Sequence, residues 1–152
     1  MNDPRTATMI SLDTLGDEAA YFVHSLVPSA GHATLVTLSG DLGAGKTSFT
    51  QAIARELGVE ESITSPTFVL VKTYPLAEKE FGFSKLVHID AYRLEGESVL
   101  VPLRFSEMYA DPETLIVLEW PEKVATELPK TDVAITLSVR SETERTITYD
   151  YA

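Results

Sequence analysis

Cysteine is absent from the 152-residue sequence, which excludes disulfides and thiolate metal sites. Positive charge is scarce: 12 lysines and arginines stand against 23 aspartates and glutamates, a net charge of −11. A surface this acidic repels a phosphate backbone at long range, which argues against tight nucleic-acid binding by this chain alone. No apolar run approaches a membrane span, and no membrane partner is expected. The start, Met1-Asn2-Asp3-Pro4-Arg5-Thr6, lacks the charged-then-apolar form of a signal peptide, so a cytoplasmic location is expected. His24 and His32 have no carboxylate or histidine at metal-binding spacing, and His88-x-Asp90 lacks a second histidine, so zinc is not expected.

Apolar residues make up 44% of the chain, enough for a globular core, and the length suits one domain over 1–152. The rest is organised around Gly40-Asp41-Leu42-Gly43-Ala44-Gly45-Lys46-Thr47, which fits the phosphate-binding pattern G-x-x-x-x-G-K-[ST]. Context supports the match. Ala33–Ser39 reads as a buried strand, Phe49, Ile53 and Leu57 recur at helical spacing, and Gly58 stands where that helix would stop. A strand, a glycine-rich turn and a helix together make an anion nest at a positive helix end. Lys46 would then reach β- and γ-phosphates, and the Thr47 hydroxyl would take one position on Mg²⁺. Asp41, Gly43, Ala44, Gly45, Lys46, Thr47 and Ser48 are the expected nucleotide contacts.

Around this unit the pattern alternates between strands and helices. Met9–Leu12 suggests a short first strand, and Asp13-Thr14 offers caps for a helix carrying Ala19, Ala20, Phe22, Val23, Leu26 and Val27 on its apolar face. Pro66 shapes the Ser65–Phe68 loop, which feeds a strand over Phe68–Tyr74, one arm of a hairpin. Thr67 is either a strand-entry hydroxyl or part of a switch-like loop sensing a γ-phosphate. Lys85–Asp90 is the next strand, with Leu86, His88 and Asp90 on one side and Val87 and Ile89 on the other. Asp90, at its carboxyl end, is a candidate for Mg²⁺-water contact or for orienting an attacking water; the alternative is a solvated acid.

Tyr92-Arg93-Leu94 leads into Glu95–Asp111, which reads as an irregular, partly helical excursion over the sheet edge or a lid; Arg93 and Arg104 either touch phosphate or pair with local acids. Thr114–Glu119 has the form of a Walker-B strand, four apolar residues ending in the acid that would share Mg²⁺ with Thr47. Trp120 either packs beside the strand end or borders the site. Alternation in Val133, Ile135, Leu137, Val139 and again in Ile147, Tyr149, Tyr151 predicts a closing antiparallel hairpin. The expected fold is α/β: a P-loop NTPase-like sheet with helices on both faces and a C-terminal antiparallel hairpin.

Five segments together carry a more specific message: Gly-Asp-Leu-Gly-Ala-Gly-Lys-Thr (40–47), Leu-Gly (57–58), Ser-Pro-Thr-Phe (65–68), His-Ile-Asp-Ala-Tyr-Arg-Leu (88–94) and Leu-Glu-Trp-Pro-Glu-Lys (118–123). In order and spacing they resemble the TsaE family, the bacterial ATPase component of the machinery that makes N6-threonylcarbamoyladenosine at adenosine 37 of tRNA. The resemblance implies ATP with Mg²⁺ and partnership with TsaD, which carries the transfer chemistry, and TsaB, its scaffold; tRNA would be reached only through that complex. It implies that Lys46 binds phosphate, that Thr47 and Glu119 hold the metal, and that Asp90 is the essential strand-end acid. It also places Thr67 in the switch-like loop and Trp120 at the border of the site. The sequence departs from the family at Pro102-Leu103-Arg104-Phe105, where a small-apolar-Gly-apolar segment is common, and at Glu18-Ala19, where an acid-Thr pair is common. The competing functions are a small-molecule P-loop kinase, which needs an acceptor pocket and usually an arginine-rich lid, and a nucleotide-dependent binding switch with little turnover.

Overall fold

A computed structural model describes residues 5–60, 71–77, 80–94 and 96–152. Its described residues form one seven-stranded sheet in the order β1-β7-β6-β2-β5-β4-β3. The strands are β1 (Arg5–Ser11), β2 (Thr34–Ser39), β3 (Val71–Pro75), β4 (Lys85–Asp90), β5 (Thr114–Glu119), β6 (Val133–Val139) and β7 (Glu144–Tyr151). The four central strands are parallel, with β2 between β5 and β6 and β4 beyond β5. The outer pairs β3–β4, β6–β7 and β1–β7 are antiparallel. Among the described residues three α-helices accompany the sheet: α1 (Leu15–Ser25), α2 (Lys46–Glu56) and the single-turn α3 (Phe105–Tyr109).

Period-2 alternation divides the core into two layers. Val36 and Leu38 of β2, Leu86 of β4, Leu115 and Val117 of β5, and Ile135 and Leu137 of β6 face α1 and α2. Leu35, Val87, Ile89, Ile116 and Leu118 face the opposite way, onto Leu94, Leu100, Phe105 and Val124. Both faces of the central parallel strands are therefore covered, and every residue of β5 is buried. Phe22 anchors α1: its ring stacks on Tyr149 of β7 with centroids 5.4 Å apart and tilts against Phe49 of α2 at 6.3 Å. Truncation of such a buried ring costs about 3–5 kcal/mol.

The helix ends follow from local chemistry. Beyond α2, Gly58 donates to Arg55 O (3.1 Å) and Val59 to Ala54 O (2.9 Å), the paired bonds of a Schellman stop at the expected glycine. The first helix is shorter than its apolar pattern suggests. It ends at Ser25, Leu26 is extended, and Val27 is exposed rather than part of an apolar face. Pro28 disfavours helical geometry at Val27, and the Ser25 hydroxyl donates to Phe22 O (2.6 Å) at the last turn. The 96–111 segment is irregular with one helical turn, as expected, but of its two readings the sheet-edge one does not hold: Leu100 and Phe105 lie on the face of β2, β4 and β5. Its turn is held by Glu127, whose carboxylate accepts the Val99 and Leu100 amides at 3.1 Å each. The Ser65–Phe68 loop, with Thr67, and the beginning of the strand expected over Phe68–Tyr74 lie outside the described residues.

Candidate functional site

The carboxyl ends of β2, β5 and β4 lie side by side, and the chemistry-bearing residues collect there, as ligands do in open α/β sheets. β2 leads into Gly40, where a Cβ would sit 2.5 Å from Leu137 O, so only glycine lets the loop pass this close to β6. Gly45, at φ 105°, is the N-cap of α2 and turns the chain into the helix from a conformation other residues resist. No side chain caps α2, and its first bond is from Phe49 N to Gly45 O (2.8 Å). The amides of Lys46, Thr47 and Ser48 therefore begin the helix without intrahelical partners, at the positive end of its dipole.

Lys46 is 5% exposed. Its ammonium donates to Gly40 O (2.6 Å) and Asp41 O (3.0 Å) and lies 4.1 Å from the ring centroid of Trp120. Burial lowers its pKa from the ordinary 10.5, although Glu119, Glu122, Asp90 and Asp41 all pull the other way. Trp120 occupies the left-handed region (φ 62°, ψ 53°), uncommon for a bulky residue, and its ring is tilted against Tyr92 at 4.9 Å. Trp120 thus stands at the loop rather than only beside the strand end.

Thr47 and Glu119 meet. The Thr47 hydroxyl is 3.2 and 3.3 Å from the two Glu119 oxygens, and Glu119 is 2% exposed on the α2 side of β5. His88 Nε2 contacts the same carboxylate from β4. His88 is fully buried, and among the described residues its Nδ1 has no hydrogen-bond partner; the tautomer with the proton on Nε2 is the one that can donate to Glu119. Asp90 is paired in register with Glu119, half-exposed, and accepts the Tyr92 amide (3.0 Å). Asp41, Gly43, Ala44 and Ser48 fall in the loop and the first turn of α2, so the expected residues among those described lie together; Thr67 lies outside the described residues. Arg104 does not join them: it is exposed and pairs with Glu107 at 3.6 Å. Among the described residues no three histidine, aspartate or glutamate side chains converge as metal ligands.

Two buried partners of the site escaped the motif reading. The spacing of His88 suggests only a zinc ligand; its place in register opposite Val117, on the Glu119 side of the sheet, makes it a carboxylate partner. Arg145 of β7 is 8% exposed and reaches the loop from behind, its Nε donating to Ala44 O (3.1 Å) and Nη2 to Gly43 O (3.4 Å). A signal existed: Arg145 is in phase with Ile147 and Tyr149, placing a cation at an inward position.

A family model described as threonylcarbamoyl adenosine biosynthesis protein TsaE matches residues 14–147, a span that holds the loop, Asp90, Glu119 and Arg145. The chain belongs to the TsaE family. It is 36% identical over 115 residues to the tRNA threonylcarbamoyladenosine biosynthesis protein TsaE of Bacillus subtilis, covering 76% of this chain and 68% of that one. To the protein of the same name from Treponema pallidum it is 39% identical over 115 residues, covering 76% and 80%. The crystal structure of Bacillus subtilis YdiB superposes with a TM-score of 0.71 at 26% identity, over 99% of this chain and 87% of that one. The TsaE fold is thus an α/β sheet of the P-loop type, with the antiparallel hairpin at its end.

Proposed function

We propose that this TsaE-family chain is a Mg²⁺-dependent ATPase that acts with TsaD and TsaB in threonylcarbamoyl modification of tRNA. The observation that carries the reading is the meeting of Thr47 and Glu119, 3.2 Å apart at the start of an uncapped helix. A hydroxyl at a helix N-terminus and a carboxylate at a strand end are hard oxygen donors, the set that suits a Mg²⁺ ion keeping several of its waters. Bound there, the ion would neutralise charge on the β- and γ-phosphates.

The chain's own residues supply the rest. The amides at the start of α2 receive phosphate oxygens, and Lys46 exchanges its contacts with Gly40 O and Asp41 O for phosphate. Asp90, beside Glu119 and partly open to solvent, orients the attacking water. Thr67 acts in the loop that senses the γ-phosphate, and Trp120 borders the nucleotide. At net charge −11 the chain repels a phosphate backbone, so its partners carry the tRNA.

A kinase reading fits less well. Of the two arginines available to a lid, Arg104 is turned to Glu107 at the surface and Arg93 is exposed. Phosphate release from ATP, measured with and without TsaD–TsaB and tRNA, tests the proposal. Slow turnover alone and faster turnover with the pair is the expected result. Transfer to a small-molecule acceptor would favour the kinase, and nucleotide-dependent assembly without phosphate release would favour a binding switch.

A further inference from the structure

The loop is held from behind by a cation 101 residues away in sequence. Arg145 makes five hydrogen bonds among the described residues, and every one ends on a main-chain carbonyl. Nη1 donates to Ser141 O (2.8 Å), Glu144 O (2.9 Å) and Glu142 O (3.5 Å), which fastens the guanidinium to the β6–β7 turn. Nε and Nη2 then reach Ala44 O (3.1 Å) and Gly43 O (3.4 Å). The turn is itself closed by Arg140 N to Glu144 O (3.0 Å) and Glu144 N to the Ser141 hydroxyl (3.2 Å), so the anchor is fixed at one end.

A trans peptide is planar, with its C=O and N–H pointing in opposite directions. Holding Gly43 O toward Arg145 therefore turns the Ala44 amide away, and that amide is found inside the loop, bonded to Asp41 O at 2.9 Å. By the same geometry, holding Ala44 O turns the Gly45 N–H to the inner side. That amide stands next to Lys46, the first residue of α2. Glycines at 43 and 45 leave these peptide planes otherwise free to rotate, since both residues sit at positive φ with nothing near their missing Cβ atoms.

We propose that Arg145 is the positioning residue of this loop: it presets the Gly43–Gly45 peptides so that the Gly45 amide faces the phosphate, and it places a permanent positive charge behind the nest. The inference rests on the nucleotide reading above. Lysine cannot substitute, because a single ammonium offers no planar fork to span two successive carbonyls while holding the turn.

The test uses the full chain, Mg-ADP as the probe, calorimetric affinity, and the Gly45 amide resonance in an isotope-labelled sample. Arg145→Lys should weaken Mg-ADP binding about 10-fold or more, and the Gly45 amide should shift less on saturation than in the wild type. Ile147→Val, two residues along β7 in the same inward row, serves as the comparison for general loosening. It should lower thermal stability yet leave the affinity and the Gly45 shift near wild type. Wild-type affinity in a folded Arg145→Lys protein would overturn the role of Arg145 alone. So would an equal loss of affinity in Ile147→Val at matched destabilisation. Failure of the wild type to bind Mg-ADP would instead bring down the nucleotide reading and this role with it.

Discussion

Two buried cations grip the same loop, and they differ in what they can do next. Lys46 holds Gly40 O and Asp41 O from the site side, among Glu119, Glu122, Asp90 and Asp41, with its pKa lowered by burial. Arg145 holds Gly43 O and Ala44 O from the hairpin side and is tied to a closed turn. A lysine is a point charge on a flexible stem, and in the proposed function its bonds to carbonyls are exchanged for phosphate. An arginine fork keeps its charge and its geometry. In the proposed function Lys46 exchanges its ligands and Arg145 does not, although both are buried and, among the described residues, both hydrogen-bond to main-chain carbonyls.

The largest expected effect breaks the comparison at the lysine. Lys46→Met should reduce Mg-ATP affinity about 100-fold or more, the loss of charge-assisted bonds worth roughly 3 kcal/mol. The fold should not suffer. A lysine whose folded pKa lies below 10.5 is penalised while charged, and the penalty is relieved as pH rises through the folded value toward 10.5. Melting of ligand-free Lys46→Met should thus equal or exceed wild type at neutral pH, with the advantage shrinking in the alkaline range. A mutant that melts well below wild type at neutral pH would mean that the lysine's contacts outweigh its burial.

The carboxylate facing Lys46 comes next. Glu119→Ala should weaken Mg-ATP about 10-fold and metal-free ATP much less, and its effect should be far from additive with Thr47→Ala because the two side chains meet. Equal losses for both ligand forms would make Glu119 a structural partner of His88. His88→Leu removes the buried donor but keeps the apolar volume, so it should show the same metal-dependent split at smaller size.

Trp120 gives a spectroscopic view of Lys46. It is the only tryptophan, and its ring lies 4.1 Å from the Lys46 ammonium. Mg-ATP titration should therefore change its emission as the lysine moves off. An unchanged spectrum, with binding shown by calorimetry, would mean that the Lys46–Trp120 contact survives occupancy.

The smallest effect concerns a cation outside the pair. Arg104 adopts the left-handed geometry that favours glycine, φ 60° and ψ 38°. Arg104→Gly should stabilise the fold by up to about 1 kcal/mol, the strain relieved being partly offset by unfolded-state entropy. Nucleotide affinity should be unaffected, and a changed affinity would bring Arg104 into the site after all.

The local pattern of the chain was enough to determine the strand–loop–helix unit at Gly40–Thr47, the buried β5 with its terminal acid, the alternation of β4 and the closing hairpin. Each is a period or a turn chemistry contained within about ten residues. The end of α1 at Ser25 was less legible, because apolar spacing continued through Val27 while Pro28 acted against the helix. What only the tertiary structure decided was which side chains meet. His88 reaches Glu119 because β4 and β5 are parallel neighbours in one register, and Arg145 reaches Ala44 because β7 pairs with β6, which pairs with β2. Alternation in a strand states which face a residue takes; the pairing of strands far apart in the chain states what it finds there.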